Sequence, residues 1–184
     1  MVFTSDELLA RLEQAATGDN LPPVDQWHPE NVGQIDIRID ASGQWWHQGS
    51  RFRRDSLVRL FARIMRREAE GYYLVTPVEK LRIEVEDAPF VAVDLDVAGE
   101  AGGTDLLFTT NVGDLVMADA AHPLFVRDGK PYVVVRGGLE AKLTTAVYYR
   151  LAEYAVSDDD EGQEQYVVAS RGSRFPLAFE VAAS

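Results

Sequence analysis

The chain has 184 residues, 46% of them hydrophobic and 26% charged, which suits one large domain or two small ones and a core that needs no staple. It contains no cysteine, so disulfides, thiolate metal sites and a cysteine nucleophile are excluded. A formal net charge of −12 and a pI near 4.6 argue against general binding of nucleic-acid polymers, whose phosphates such a surface repels.

No apolar run reaches the ~18–20 residues a bilayer span requires. The opening MVFTSDELLARLEQ has neither a basic start nor an apolar centre, so it does not read as a signal peptide. No membrane association and a cytoplasmic location are the expectations.

Thr4 to about Ala16 reads as a short amphipathic helix, with Thr4 and Glu7 as a capping-box pair and Leu8, Leu9 and Leu12 as its stripe. Pro22, Pro23 and Pro29 bar regular structure from the arm that follows, which Trp27 would anchor. Residues 34–39 alternate with period two, Ala41–Gly43 is a turn, and residues 44–48 return as a strand. A helix is predicted from Ser56 to Glu70, with Leu57, Leu60, Phe61, Ile64 and Met65 on one face.

Strands are then predicted over 72–77, 80–86 and 90–97, the last two joined by Asp87–Pro89 as an antiparallel meander. Gly99 to Thr104 is the candidate boundary, giving units over 21–98 and 105–184 after an N-terminal helix within 1–20. Beyond it come strands at 106–111 and 114–119 and a hairpin over 123–136 turning at Asp128-Gly129. A second helix is predicted from Leu139 to Val156, followed by strands at 164–170 and 174–181.

The order hairpin, helix, strand, strand thus occurs twice. A shift of 86 pairs Gly43 with Gly129, Trp46 with Tyr132 and Phe61 with Val147; a shift of 93 pairs Tyr73 with Tyr166 and Val75 with Val168. The expected class is α+β, built of duplicated strand-hairpin, helix and strand units.

Several blocks carry a family resemblance: PPVDQWHPE (22–30), LVTPVEK (74–80), VEDAPF (85–90), TTNVGD (109–114), AHPLFV (121–126), PYVVVRGGLEA (131–141) and RFPL (174–177). Together they resemble the domain-of-unknown-function 1285 family of bacterial proteins. The resemblance implies a duplicated core and a second half superficially like pleckstrin-homology folds. It also implies a nucleotide-type ligand between the halves and a part in signal transduction, but no catalytic residues. One departure stands out: Ala169 and Arg171 occupy places where a Trp-Ser-Gly-type sequence is expected.

Arg136, Gly137 and Gly138 precede the predicted second helix, where free N–H groups and a guanidinium suit an anion; they equally read as an ordinary turn. Thr76, Glu79 and Lys80 flank Pro77 in a stiff turn, offering an acceptor and a cation, or a plain surface ion pair. Asn111, His122 and Trp46 are weaker ligand candidates, and His122 also reads as structural. His28, His47 and His122 form no spaced metal-ligand pair, so neither a metal nor a cofactor is expected.

Seven of the 18 basic residues, Arg51, Arg53, Arg54, Arg59, Arg63, Arg66 and Arg67, fall within 17 positions, either as a docking patch or as a solvated helix face. No nucleophile elbow, Walker loop or zincin motif is present. The expected function is non-catalytic binding of a small anionic, nucleotide-type ligand. The alternatives are a protein-interaction adaptor using the second half and the arginine-rich helix, and an unrecognised enzyme.

Overall fold

A computed structural model describes residues 20–99, 104–160 and 162–177. The expected helix at Thr4–Ala16 and the end of the last strand lie outside the described residues. The chain divides into two compact units, Met1–Pro89 and Phe90–Ser184. The strand expected over 90–97 therefore belongs with the second unit, because its hydrogen-bonding partners are all there.

The first unit holds six strands, β1 (Asn31–Ile39), β2 (Trp45–His47), β3 (Ser50–Arg51), β4 (Met65–Glu68), β5 (Gly71–Val75) and β6 (Glu79–Val85). Helix α1 (Asp55–Arg63) lies between β3 and β4 in sequence. The sheet order is β3-β2-β1-β6-β5-β4, with β1 and β6 parallel at its centre. Ile35, Ile37 and Ile39 alternate onto one face, as a half-buried strand requires, and are buried with Trp45, Phe61, Leu74, Leu81 and Ile83. Trp45, Phe52 and Phe61 form a ring cluster with centroids 6.0–6.5 Å apart.

The second unit holds β7 (Phe90–Ala98), β8 (Asp105–Thr110), β9 (Leu115–Met117), β10 (Leu124–Arg127), β11 (Lys130–Arg136) and β12 (Leu139–Leu143). Helix α2 (Thr145–Ala152) follows, then β13 (Val156–Asp160), β14 (Gln163–Ser170) and β15 (Ser173–Leu177). Its six-stranded sheet runs β10-β11-β12-β7-β8-β9, again with a parallel pair, β12 and β7, at the centre. Strands β13, β14 and β15 form a separate antiparallel sheet.

The segment Ala118–Pro123 joins the two edge strands β9 and β10, and Asp119 and His122 close a tight turn within it by two backbone hydrogen bonds. A flat sheet would put those edges about 24 Å apart, five spacings of ~4.8 Å, more than so folded a connection spans. The sheet therefore curls. The small sheet helps to cover the curl: β10 packs on β15, and the start of β8 bonds to the end of β14. Leu106 N donates to Ser170 Oγ at 3.0 Å and Arg171 N to Thr104 O at 3.3 Å.

The molecule is thus mostly β, with fifteen strands in three sheets and two short α-helices among the described residues. This corrects the α+β expectation, and both helix predictions fail for identifiable reasons. The first helix stops at Arg63, because Ile64 and Met65 are buried and the following residues pair with β5 from Met65 to Glu68. Helix-forming Arg, Glu and Ala in that stretch are overruled by strand pairing. The second begins only at Thr145, whose cap Thr144 accepts from Val147 N at 3.2 Å; residues 139–143 are a strand. The meander expected across Asp87–Pro89 is also absent: β6 pairs with β1 and β5, and β7 with β8 and β12.

The order of three strands, a helix and three strands nevertheless occurs twice, over Asn31–Val85 and Leu124–Leu177. In the first unit the two triplets share a sheet; in the second the last triplet stands apart.

Candidate functional site

Gly137 and Gly138 form the two-residue turn between β11 and β12, with φ of 53° and 75°. Both values are left-handed, which glycine adopts without a Cβ penalty and which a tight hairpin requires. They do not open a helix, so the expected anion cradle of helix N–H groups is missing there. Arg136 Nη1 reaches Asp114 Oδ2 at 2.5 Å, and its guanidinium lies 5.0 Å from the centre of the Phe90 ring. Asn111 lies in the turn between β8 and β9 that also carries Asp114; its side chain accepts from Val91 N at 3.0 Å and its own N–H donates to Val91 O at 2.8 Å. These contacts tie strands together.

His122 Nδ1 meets Asp119 Oδ1 at 2.9 Å. Hydrogen bonding from the His122 ring, with its backbone N–H, holds the Asp119 carboxyl below the usual range.

In the first unit Thr76 is buried and its hydroxyl accepts from Val78 N and Glu79 N, forming the turn before β6. Glu79 is 1% exposed and so offers no surface carboxylate. Lys80 Nζ bonds Glu68 Oε2 at 2.8 Å and lies 4.7 Å from the Tyr73 ring centre. Arg66 completes this network: it pairs with Glu68 and donates at 2.8 Å to Val24 O and Trp27 O. The proline-rich arm is thereby fastened to β4, and Arg66 is no part of an exposed helix face.

Trp46 lies far from Lys80. It pairs with Arg38, which pairs with Glu84, whereas Lys80 pairs with Val32 at the other end of β6. Trp46 Nε1 donates to Asp40 Oδ2 at 2.8 Å.

Asp40 also accepts from Ser42 N at 2.9 Å, Ser42 Oγ at 2.6 Å and Gln44 N at 3.0 Å. Burial raises its carboxyl, but these bonds prevail and lower it to about 2 from 3.8. A depressed carboxylate contributes stability above its unfolded pKa and loses it as pH falls through the folded one. Asp40→Ala is expected to cost about 1–2 kcal/mol at pH 7, discounted for partial exposure, with the difference shrinking from pH 4 to pH 2. Urea denaturation of both proteins across that range checks it; a difference unchanged by pH contradicts the assignment.

A further concavity lies elsewhere, on one face of the β13-β14-β15 sheet in the second unit. It encloses ≈ 400 Å³, with Val156, Val167 and Ala169 among its lining. Thr104, Asp105 and Ser170 also line it, and Arg171, Gly172 and Arg174 complete it. Arg171 and Gly172 make the β14–β15 turn, with φ of 49° and 76°. A left-handed arginine is uncommon and costs of order 1 kcal/mol, which the turn supports through Arg171 N to Thr104 O.

Arg171 Nε lies 3.5 Å from Asp105 Oδ2, and Arg174 Nη2 lies 2.9 Å from Asp158 Oδ2. Their side chains are 56% and 57% exposed, so each pair is worth only about 0–1 kcal/mol and exchanges readily for another anion. Two other concavities, ≈ 460 and ≈ 360 Å³, open where the β1–β6 register slips and share Gln34 and Glu84. They lack paired arginines.

The sequence reading passed over Arg174 and treated Arg171 only as a departure. The available signal was Ser170-Arg171-Gly172-Ser173-Arg174, two guanidiniums bracketing a turn glycine. No group of three or more metal-ligating side chains occurs among the described residues. None of their helices is long and apolar enough to cross a membrane.

Fold and site define a two-domain, mainly β protein with an arginine-rimmed concavity in its second domain. The family model of the DUF1285 N-terminal domain of unknown function matches residues 22–88, and that of the DUF1285 C-terminal domain matches residues 89–177. The chain belongs to the DUF1285 family. It is 42% identical to a DUF1285 family protein from Silicibacter pomeroyi DSS-3 of known crystal structure, covering 92% of this chain and 93% of that one with a TM-score of 0.85. A DUF1285 family protein from Shewanella baltica OS155 is 33% identical over 64% of this chain and 91% of its own, with a TM-score of 0.56. No curated protein matches.

Proposed function

We propose that this protein binds a small anionic molecule of nucleotide type, without catalysis, in the Arg171–Arg174 concavity of its second domain. The observation that carries this reading is the pairing of two guanidiniums with a valine-lined floor in a cavity of ≈ 400 Å³. That volume lies within the ~300–1,000 Å³ typical of ligand sites. The phosphate takes the guanidiniums, displacing Asp105 and Asp158, while a planar base lies over Val156 and Val167. Reversible occupancy of this kind is what a sensing role in signal transduction requires.

Thermal-shift assays and calorimetry of the full chain against a panel of mono- and dinucleotides test it. At 100 times Kd a ligand stabilises by about 2.7 kcal/mol. Arg171→Ala with Arg174→Ala is expected to weaken binding at least tenfold, about 1.4 kcal/mol. A panel without a single stabilising member, or equal binding by the double variant, sinks the reading.

A further inference from the structure

Of the seven basic residues concentrated between positions 51 and 67, the structure engages three. Arg66 holds the proline-rich arm, Arg63 donates to Asn20 O, and Arg67 lies 5.8 Å from the Tyr72 ring centre. Arg51, Arg53, Arg54 and Arg59 are exposed, and no ion pair or hydrogen bond engages their side chains among the described residues. Arg51 sits on β3, the short edge strand of the first domain's sheet, and Arg53 and Arg54 lie in the link to α1. Arg59 stands on α1 two residues before buried Phe61, about 200° round the helix and so on its outer side.

Four uncompensated guanidiniums this close repel one another, and they do so in a chain of net charge −12 that has 30 carboxylates to offer. The other exposed arginines of the described fold are engaged: Arg150, Arg171 and Arg174 pair with carboxylates, and Arg82 donates to Glu70 O. The β3–α1 segment departs from that pattern.

We infer that this segment is a docking surface for an extended, acidic segment of a partner protein. Charge complementarity selects the occupant. A nucleic-acid duplex presents a charge every ~1.7 Å, and a single strand one every ~3.4 Å, over a long reach that meets the net negative field of the whole molecule. A short run of carboxylates engages only the local patch, within a Debye length of about 8 Å at physiological salt. Arginine rather than lysine suits such contacts, since its fork binds carboxylates bidentately.

The test uses the full chain and a fluorescent dodecapeptide rich in Glu and Asp, read by anisotropy at 50 and 300 mM salt. Its Gln/Asn counterpart and a single-stranded oligonucleotide of equal charge are run alongside, with sedimentation velocity for self-association. The acidic peptide is expected to bind at low salt and to weaken at least tenfold at 300 mM. R51Q/R53Q/R54Q/R59Q is expected to abolish binding while leaving the melting temperature within a few degrees. The R171A/R174A variant retains it, which separates this surface from the ligand cavity. Absent peptide binding, binding indifferent to the four substitutions, tighter binding of the oligonucleotide, or self-association that the four substitutions abolish would each overturn the inference.

Discussion

Phe61→Ala is expected to destabilise the first domain by about 3–5 kcal/mol. Phe61 is 0% exposed and meets Trp45 and Phe52 at centroid distances of 6.5 and 6.0 Å. Truncation removes the ring from α1, the helix that joins the β1–β3 triplet to the β4–β6 triplet. The vacated space cannot fill without moving Trp45, so transfer and cavity terms add. Urea unfolding of Phe61→Ala and Phe61→Leu measures this, the leucine variant recovering a large part of the loss. A cost below about 1 kcal/mol for alanine would mean that the cluster packs otherwise.

Arg66→Ala is expected to cost about 2–4 kcal/mol, a large effect for a residue that sequence reading placed on a solvated helix face. Its side chain is 12% exposed and serves Glu68, Val24 O and Trp27 O together. Without it Trp27 O loses its donor, Val24 O keeps only the Trp27 N–H, and Glu68 keeps Lys80.

The same network sets a pH dependence. The Lys80 hydrogen bond, followed against burial by the Arg66 contacts, holds the Glu68 carboxyl below 4.5. Its stabilisation is complete above the unfolded value and declines as pH falls through the lowered folded one. Stability of the native chain should therefore drop below pH 4.5 more steeply than that of Arg66→Ala. Equal slopes would detach Glu68 from Arg66.

Strands were legible wherever apolar residues alternated, as in residues 34–39 and 80–86, because the two-residue period shows in composition alone. The short edge and hairpin strands over 44–48, 114–119 and 123–136 were legible too, but two strands hidden inside the predicted helices were not. Met65–Glu68 and Leu139–Leu143 carry helix-forming residues, and only pairing with β5 for the first, and with β11 and β7 for the second, makes them strands. That error moved Arg66 and Gly137-Gly138 into wrong settings and with them the expected site. Family membership was readable from the blocks between Pro22 and Leu177.

The cavity was illegible for another reason. Asp105, Val156 and Arg174 are distant in sequence, and only the packing of β8 against the last three strands assembles them.

Nuclear magnetic resonance of the isotopically labelled chain, titrated with the nucleotide that stabilises it most, locates the ligand most directly. Amide shifts concentrated at Thr104, Asp105, Val156 and Val167–Arg174 are the predicted outcome. Shifts centred instead on Arg136 or Lys80, or a spectrum unmoved at saturating nucleotide, would contradict an anion site on the last sheet.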